Sequence, residues 1–471
     1  MDSAVAAIAE WMPQQRWFGG KGHAPRLREI GSWELPTGAG ARVRSLLLMD
    51  DAAQPEVLYQ VPVVERATEV SEASEHLIGV LDDGTHLYDG PRDAAFTDAL
   101  LELIVGEGRA VAHGAGASGH FSGTAGAGPA GAGTRASVLS GEQSNTSIVY
   151  WPARSKPIIC KVYRQLHHGD NPDVTLQTAL ARSGSPHVPA SVGDVVGEWD
   201  DVGRPDGRAR GHLAFAQEFL PGVQDAWRVA LLAAAAGEDF SADARALGTA
   251  VAEVHLSLGT LFDREPASAE LIAAVTGAWQ RRLAIGVAEV PALGPDRDAI
   301  DAFYQRAQVG AWPELQRIHG DLHLGQVIKS PDRGWLILDF EGEPMRPMQE
   351  RRRPDLPVRD VAGMLRSFDY VAGATEIVHP ERADEARAWA ASARQAFIDG
   401  YVEASGMDLA RYRDLLAAFE LDKAVYEAIY ETRNRPDWAP IPLRAVAKLL
   451  GTGPLRASTD AAGAPAEPTP A

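Results

Sequence analysis

Cysteine is almost absent from this chain of 471 residues, where Cys160 stands alone. A single cysteine cannot form an intramolecular disulfide or a cysteine-based zinc site, so neither device organises the fold. Cys160 lies in the apolar run Ile158-Ile159-Cys160. We therefore expect it to be a small buried residue rather than a reactive one.

Long hydrophobic runs are missing as well. No apolar stretch approaches the ~20 residues that a membrane helix needs, so no membrane partner is expected. The first residues, MDSAVAAIAEW, contain no basic segment ahead of an apolar one, which disfavours a secretory signal. A cytoplasmic location is the expectation that follows.

Positive charge is scarce, since 45 lysines and arginines stand against 64 acidic residues and the formal net charge is −19. Nucleic-acid binders usually carry a basic patch, so this balance disfavours a nucleic-acid partner. An enzyme that acts on polyphosphates would then have to supply positive charge locally, from lysine, arginine or magnesium.

The length of the chain predicts two or three domains. Residues 1–92 contain three β-like runs, at 42–48, 57–63 and 85–89, which predict an antiparallel sheet in a separate cap domain. Residues 93–106 have apolar side chains at helical spacing.

Two segments have a composition that disfavours ordered structure. Residues 114–133 are almost wholly small, and we expect a flexible loop there because they cannot bury enough surface. The Ala/Pro/Gly-rich tail is expected to be disordered. The predicted domains are a cap subdomain (1–92), a nucleotide-binding lobe (93–220), a mainly helical catalytic lobe (221–456) and the tail (457–471).

The most informative stretch runs from Arg317 to Glu343 and holds two acidic clusters, each at the end of an apolar run. Asp321 is followed five residues later by Gln326, and Asp339 ends the next apolar run. This spacing is typical of a phosphotransferase site. Asp321 would take or orient the proton of the incoming hydroxyl, and Gln326 and Asp339 would bind magnesium through oxygen.

A second group of residues upstream fits a nucleotide site. Ser144, Asn145 and Thr146 form a small polar turn between two predicted strands, where N–H and hydroxyl groups could meet phosphate oxygens. Lys161 lies inside the next strand and would pair with the α- and β-phosphates.

The strand 213–219 then ends in a turn, where backbone groups near Glu218 and Leu220 would recognise adenine. Turn, strand lysine, adenine-binding segment and catalytic loop thus follow in the order that a two-lobed kinase requires.

Other interpretations remain open for each piece. Lys161 could belong to an ordinary hairpin with its tip in water. His319, Asp321 and His323 alternate and could ligate zinc. That alternative leaves Lys161 without a role, so we expect the histidines to hold the loop and line the site. Glu341 could contact a second ion or the acceptor.

Several longer motifs are distributed over nearly the whole chain. They are WMPQQRWFGGKG (11–22), EQSNTS (142–147), HGDLHLGQ (319–326), DFEGEP (339–344), ERR (350–352), VRDVAGMLRSFDY (358–370) and LDKAVYEAIYETRNRPDWAPIPL (421–443). In these motifs the chain resembles the actinobacterial maltokinase family, whose members are similar to aminoglycoside phosphotransferases.

The resemblance implies an α+β fold of the two-lobed, protein-kinase-like class, with an extra N-terminal β-rich cap domain and a mainly helical C-terminal lobe. It implies phosphorylation of maltose by ATP and Mg²⁺ to maltose 1-phosphate, which feeds glycogen or α-glucan synthesis from trehalose. A trehalose synthase is an expected partner, and a monomer is expected.

The family pattern carries over to Lys161, Asp321, Gln326 and Asp339. It departs at Thr175, where a glutamate that pairs with the strand lysine would be expected. Asp173 is the candidate replacement.

The acceptor sugar needs aromatic platforms and carboxylates. The segment 412–433 offers Tyr426, Glu427 and Tyr430, with Trp438 after the next turn; His323 and Glu341 are further candidates. The alternative is that the tyrosines pack in the core and the glutamate is solvated. A kinase of another sugar or amino sugar, such as glucosamine or an aminoglycoside, and a pseudokinase-like binding module are the competing functions.

Overall fold

A computed structural model describes residues 2–37, 40–123, 134–139, 144–153, 155–344 and 346–451. Contacts divide the chain into two compact units. The first comprises residues 1–223 with 344–352, and the second comprises 224–343 with the chain from 353 onward. The predicted tail at 457–471 lies outside the described residues. The predicted domain boundaries stay predictions.

The described residues of the first unit form two antiparallel sheets, three helices before residue 223 and one short helix in the segment 344–352. Its strands are β1 (Leu27–Leu35), β2 (Arg42–Asp50), β3 (Val57–Arg66), β4 (Leu77–Val80), β5 (His86–Asp89), β6 (Val111–His113), β7 (Ala115–Phe121), β8 (Arg135–Val138), β9 (Asn145–Trp151), β10 (Ile158–Tyr163), β11 (Gln165–Leu166), β12 (Ser191–Asp200) and β13 (Arg208–Glu218). Its helices are α1 (Ser3–Trp11), α2 (Ala94–Val105) and α3 (Pro172–Arg182).

The N-terminal sheet has the strand order β4-β5-β3-β2-β1-β6, and β11 adds to β3. Both of its faces are covered. Leu46 and Val61 pack with Ile8 of α1 in one cluster, whereas Leu47 and Val64 belong to the cluster that contains α2. Burial on both faces explains why β2 and β3 are nearly continuous apolar runs instead of alternating.

The second sheet has the order β7-β12-β13-β10-β9-β8, which places β10 and its Lys161 between two neighbouring strands. The expectation of a flexible loop over 114–133 is wrong for residues 115–121, which form β7 and pair with β12. Small residues are required here because the strand passes close to α2: a Cβ at Gly119 would lie 1.9 Å from the Leu103 carbonyl oxygen. Residues 124–133 lie outside the described residues.

The two sheets are joined through Arg164, which is fully buried between them. Its Nε donates to the Thr146 hydroxyl at 2.8 Å, and an Nη donates to Asp89 at 3.2 Å. Its guanidinium also lies 4.6 Å from the ring centre of Trp17. The amide of Gln60 reaches across as well and donates to the carbonyls of Tyr163 and Leu213.

The second unit is mainly helical and has one small sheet, of order β14-β15-β16. Among the helices that the structure describes, none is both long and apolar enough to cross a membrane. The strands are β14 (Gln224–Asp225), β15 (Val327–Ser330) and β16 (Gly334–Ile337). The helices are α4 (Ala226–Ala236), α5 (Ser241–Leu261), α6 (Ala269–Glu289), α7 (Arg297–Val309), α8 (Met348–Arg351, within the segment 344–352 of the first unit), α9 (Pro357–Val378), α10 (Ala383–Ser405), α11 (Arg413–Asn434) and α12 (Pro440–Leu450).

Helix α9 is the centre of this unit. It packs against α10 and α11, and apolar residues such as Val361, Leu365 and Phe368 are completely buried. A Cβ at Gly363 would lie 2.4 Å from the Leu322 carbonyl oxygen, so glycine lets the helix approach the loop that carries Asp321. The core helix therefore fixes the position of this loop.

Candidate active site

The strand lysine of the first unit has a buried carboxylate partner. Lys161 Nζ lies 3.0 Å from Asp173 Oδ2, and the Asp173 side chain is only 2% exposed. Asp173 is in the first turn of α3, whose start is capped by the Asn171 side chain. This confirms Asp173 as the carboxylate that replaces the glutamate expected at Thr175. A buried lysine is costly unless it is paired, so the pair favours a functional position for Lys161.

The polar turn before β9 is only partly described, because residues 140–143 are outside the described ranges. Asn145 and Thr146 already belong to β9. The hydroxyl of Thr146 is buried and accepts a hydrogen bond from Arg164. This oxygen thus takes part in the joint between the sheets, and the contact of Thr146 with phosphate stays a prediction. Ser144 and Asn145 stay predicted phosphate contacts.

Glu218 ends β13 and is held from two directions. Its carboxylate accepts from Lys156 Nζ at 2.5 Å and from the Ala190 N–H at 3.3 Å. Its own N–H donates to the Ala190 carbonyl at 2.8 Å. The side chain thus has a structural role, and recognition of adenine by the backbone near Glu218 and Leu220 stays a prediction.

In the second unit, Asp360 of α9 holds the loop that carries Asp321. Its carboxylate accepts from the N–H groups of His319 and Gly320, at 2.8 and 2.9 Å, and contacts His255 Nε2 at 3.1 Å. Burial raises the pKa of Asp360, but the hydrogen bond and charge of His255 and the donors of the loop outweigh burial, so this pKa lies below its ordinary value. The neighbouring Arg359 forms an ion pair with Asp355.

His319 ties the loop to the second acidic cluster. Its Nε2 donates to the Leu338 carbonyl at 2.8 Å, and its Nδ1 accepts from the Asp321 N–H at 3.3 Å. Its ring also packs 4.9 Å from that of Phe340. His319 therefore holds together the segments that carry Asp321 and Asp339, as expected for a loop-holding histidine.

Asp339, Gln326 and Glu341 converge at the end of β16. Gln326 Nε2 donates to Asp339 Oδ2 at 3.1 Å, and one carboxylate oxygen each of Asp339 and Glu341 lie within 4.8 Å of one another. Asp339 has a φ of +64°, in the left-handed region that non-glycine residues rarely adopt. Such strain is concentrated at functional sites, and here it aims the carboxylate at its neighbours.

Lys423 of α11 is the partner of Asp321. Its Nζ lies 3.4 Å from Asp321 Oδ1, and both side chains are partly exposed. Burial lowers the pKa of Lys423, but the charges of Asp321, Glu427 and Glu343 outweigh burial and raise this pKa. The carboxylate of Asp321 therefore faces a positively charged side chain.

His323 begins the short helical turn after Asp321. Its Nδ1 accepts from the Gly325 N–H at 3.0 Å. Burial lowers the pKa of this histidine below its ordinary value, so it is neutral at physiological pH. Its position beside Asp321 is compatible with a role in lining the site.

The predicted acceptor residues on α11 have different environments. Tyr426 and Tyr430 stack with ring centres 6.5 Å apart, and Tyr430 is 44% exposed, so the two rings form an accessible aromatic face. Glu427 is buried and accepts two hydrogen bonds from Arg366, at 2.6 and 3.0 Å. It is therefore neither solvated nor free to serve as a simple sugar ligand.

Trp438 stacks on Tyr370, with ring centres 6.4 Å apart, and lies under the guanidinium of Arg435. Arg435 in turn pairs with Glu431 at 2.6 Å, and the Tyr370 hydroxyl donates to the same glutamate. These contacts make a second aromatic platform in the described part of the second unit.

Three residues with a part in this site received no such role from the sequence: His255, Glu343 and Asp360. Lys423 was among the residues that the segment 412–433 offers, but its pairing with Asp321 was not predicted. Local spacing could not assign them, because Lys423 is 102 positions from Asp321 and Asp360 is 41 positions from His319. Glu343 lies in the motif DFEGEP, which the sequence analysis singled out. The motif by itself gave no reason to choose Glu343 rather than Glu341 as a site residue.

Comparison with known proteins is consistent with this geometry. Residues 11–93 match the family model of the maltokinase N-terminal cap domain. A glucosamine kinase of Streptacidiphilus jiangxiensis is 29% identical over 339 residues, which cover 67% of this chain and 72% of that protein. A glucosamine kinase of Mycolicibacterium smegmatis is 28% identical over 342 residues, covering 66% of this chain and 79% of that protein.

Among solved structures, a glucosamine kinase in complex with glucosamine, ADP and inorganic phosphate is similar, with a TM-score of 0.66 and 22% identity. The match covers 93% of this chain and 97% of that one, and at this identity it shows the fold. The predicted fold class is thereby confirmed. Residues 11–93 of the chain thus match the maltokinase N-terminal cap domain, and the chain has the kinase fold of the glucosamine kinases to which it is similar.

Proposed function

We propose that the chain transfers the γ-phosphoryl group of ATP to the anomeric hydroxyl of maltose, giving ADP and maltose 1-phosphate. The observation that supports this most strongly is the environment of Asp321. Its loop is fixed by Asp360 and joined by His319 to the segment of Asp339, and its carboxylate faces Lys423. A carboxylate positioned so firmly can orient an acceptor hydroxyl.

The proposed step forms one bond and breaks one. The anomeric oxygen of maltose attacks the γ-phosphorus, and the bond from this phosphorus to the β,γ-bridging oxygen breaks with its electrons leaving on ADP. Asp321 accepts the proton of the hydroxyl. Because such transition states are largely dissociative, alignment of the hydroxyl contributes more than the basicity of the carboxylate.

The donor set at Asp339 fits magnesium. Gln326, Asp339 and Glu341 offer oxygen ligands only, the type that Mg²⁺ prefers. The bound ion would neutralise charge on the phosphates. In the first unit, Lys161, positioned by Asp173, would contact the α- and β-phosphates of ATP, and Ser144 and Asn145 would contact phosphate oxygens.

A neutral acceptor is favoured by the charges around α11. Five carboxylates on or near α11 already have a cationic partner. An ammonium group of a ligand would compete with that protein cation, whereas sugar hydroxyls can donate hydrogen bonds to the remaining lone pairs of the carboxylates. The pairs are Asp321–Lys423, Asp355–Arg359, Asp422–Arg282, Glu427–Arg366 and Glu431–Arg435. Maltose in particular is supported by the cap-domain match at residues 11–93.

The second candidate is phosphorylation of an amino sugar such as glucosamine. The relatives at 28–29% identity are glucosamine kinases, which favours this acceptor class. For the maltose reaction, a cytoplasmic location and a trehalose synthase that supplies precursor for α-glucan synthesis belong to the proposal.

The experiment is a coupled assay that measures ADP release from ATP in the presence of Mg²⁺. Maltose, glucose, glucosamine and kanamycin are each tested separately as the acceptor. We expect turnover with maltose at the highest kcat/KM. Turnover of an amino sugar alone would refute the maltose proposal, and no turnover of any sugar would refute the kinase proposal.

Asp321→Asn tests the assigned chemistry. We expect kcat to fall at least 10²-fold, the usual contribution of a positioned acid–base group, while ADP binds with unchanged affinity in calorimetry. Asp332→Asn is the matched control, because Asp332 lies exposed in the turn between β15 and β16. A near-normal rate for Asp321→Asn would show that another group aligns the acceptor.

A further inference from the structure

Glu343 lies beside the catalytic loop. A Cβ on Gly320 would be 3.3 Å from the Cα of Gly342, so the residues before Asp321 and before Glu343 are in contact through their backbones. Both glycines have left-handed φ values, of +88° and +73°. Glycine at both positions brings the two carboxylate-bearing residues to the same place.

The negative charge of Glu343 acts on three cations that have other partners. Arg282 of α6 pairs with Asp422, Arg359 of α9 with Asp355, and Lys423 of α11 with Asp321. Burial lowers the pKa of each cation. The partner carboxylate and the charge of Glu343 raise the pKa by more than burial lowers it, so each pKa lies above its ordinary value.

Within the described ranges, the carboxylate of Glu343 has neither a hydrogen bond nor an ion pair. It is half-buried, which makes an unused acceptor costly unless water or a ligand binds it. Burial first, and then the negative charges of Glu343 and Asp321, raise the pKa of Tyr426. An acceptor group without a partner next to the catalytic carboxylate is the feature expected of a ligand contact.

We propose that Glu343 is a specificity-determining contact of the acceptor: its carboxylate accepts hydrogen bonds from hydroxyls of the sugar whose anomeric hydroxyl Asp321 aligns. This rests on the proposed function and deepens it. The ligand class is a neutral sugar with adjacent hydroxyls, because the three surrounding cations oppose an ammonium group. The ring of Tyr426 offers an apolar surface to the C–H groups of the same sugar.

The test is Glu343→Gln in the full chain, which keeps the shape of the side chain and removes its charge. We expect KM for maltose to rise about tenfold or more, as for loss of charge-assisted hydrogen bonds, with kcat within threefold of the parent and ADP affinity unchanged. Glu350→Gln is the control, because Glu350 is exposed on α8 and pairs only loosely with Arg346, at 3.5 Å. The thermal unfolding midpoint reports whether either variant is misfolded.

The outcomes separate the two proposals. If the parent chain phosphorylates no sugar, the proposed function fails and this assignment fails with it. If the parent phosphorylates a sugar and Glu343→Gln leaves the KM for that sugar unchanged, only the role of Glu343 is refuted. A collapse of kcat at constant KM also refutes it, because Glu343 would then act on the chemical step rather than on acceptor binding.

Discussion

Asp173 and Asp360 are buried carboxylates that each position one reactive side chain or loop. Asp173 fixes the strand lysine, and Asp360 fixes the backbone in front of Asp321. A buried charge that loses its partner is strongly destabilising, so each carboxylate makes the arrangement around it close to obligatory. At the scale of the residue, a buried carboxylate in each unit thus holds its partner by charge and hydrogen bonds.

Lys161→Met tests the role of this lysine at the nucleotide. We expect KM for ATP to rise at least tenfold because the charge that meets the phosphates is lost, while KM for maltose stays within twofold. Steady-state kinetics with each substrate varied in turn measures both values. Lys21→Met, at an exposed position of the cap, should match the parent. An unchanged KM for ATP in Lys161→Met would place the lysine outside the nucleotide site.

At the scale of elements, the cap is built into the rest of the first unit and is not merely attached to it. Strand β11 pairs with β3 of the cap, and Arg164 immediately before β11 connects Asp89 of the cap with Thr146 of β9. Burial lowers the pKa of Arg164, and the charge and hydrogen bond of Asp89 oppose this lowering. The cap thus supports the strand that follows the predicted phosphate turn.

Arg164→Met is expected to lower the free energy of unfolding by about 3–5 kcal/mol, because it leaves Asp89 and the Thr146 hydroxyl buried with fewer partners. Chemical denaturation followed by circular dichroism measures the change. Arg92→Met is the matched control: Arg92 contacts the same Asp89 at 3.6 Å but is 43% exposed, so a change below about 1 kcal/mol is expected. Equal effects of the two variants would contradict a role of burial.

At the scale of the whole molecule, both units contain histidines that are neutral because they are buried. Burial lowers the pKa of His212 in the first unit and of His323 in the second, relative to 6.5. The unfolded chain therefore binds more protons than the folded chain just below pH 6.5. The contribution of these neutral histidines to the stability of the fold is present above pH 6.5 and is lost as the pH falls.

We accordingly expect the thermal unfolding midpoint to decrease as the pH is lowered from 7.5 to 5.5. The decrease should be about 2–4 °C for each kcal/mol by which the free energy of unfolding is lowered. His212 should contribute, because its Nδ1 accepts from the Asn171 N–H at the start of α3 and cannot do so when protonated. Differential scanning calorimetry of His212→Gln should show a shallower pH dependence. His113→Gln, at an exposed position, should follow the parent, and identical slopes in all three proteins would refute the assignment.

The sequence by itself determined the catalytic segment and the fold class. Asp321, Gln326 and Asp339 lie within 19 consecutive residues of one another, so local spacing was enough to predict their roles, although those roles stay predictions until the assays are done. The strands of the cap followed from apolar runs, and the longer motifs predicted the cap and the kinase fold that the comparisons then confirmed.

Only the tertiary structure decided which side chains support that segment. Asp360 under the loop and Lys423 against Asp321 depend on how helices pack, and packing joins residues that no short pattern relates. The strand at 115–121 was missed for the related reason that its small residues fit the surface of α2. Local spacing encodes the groups that would carry out the chemistry, whereas burial and long-range pairing decide where those groups are held.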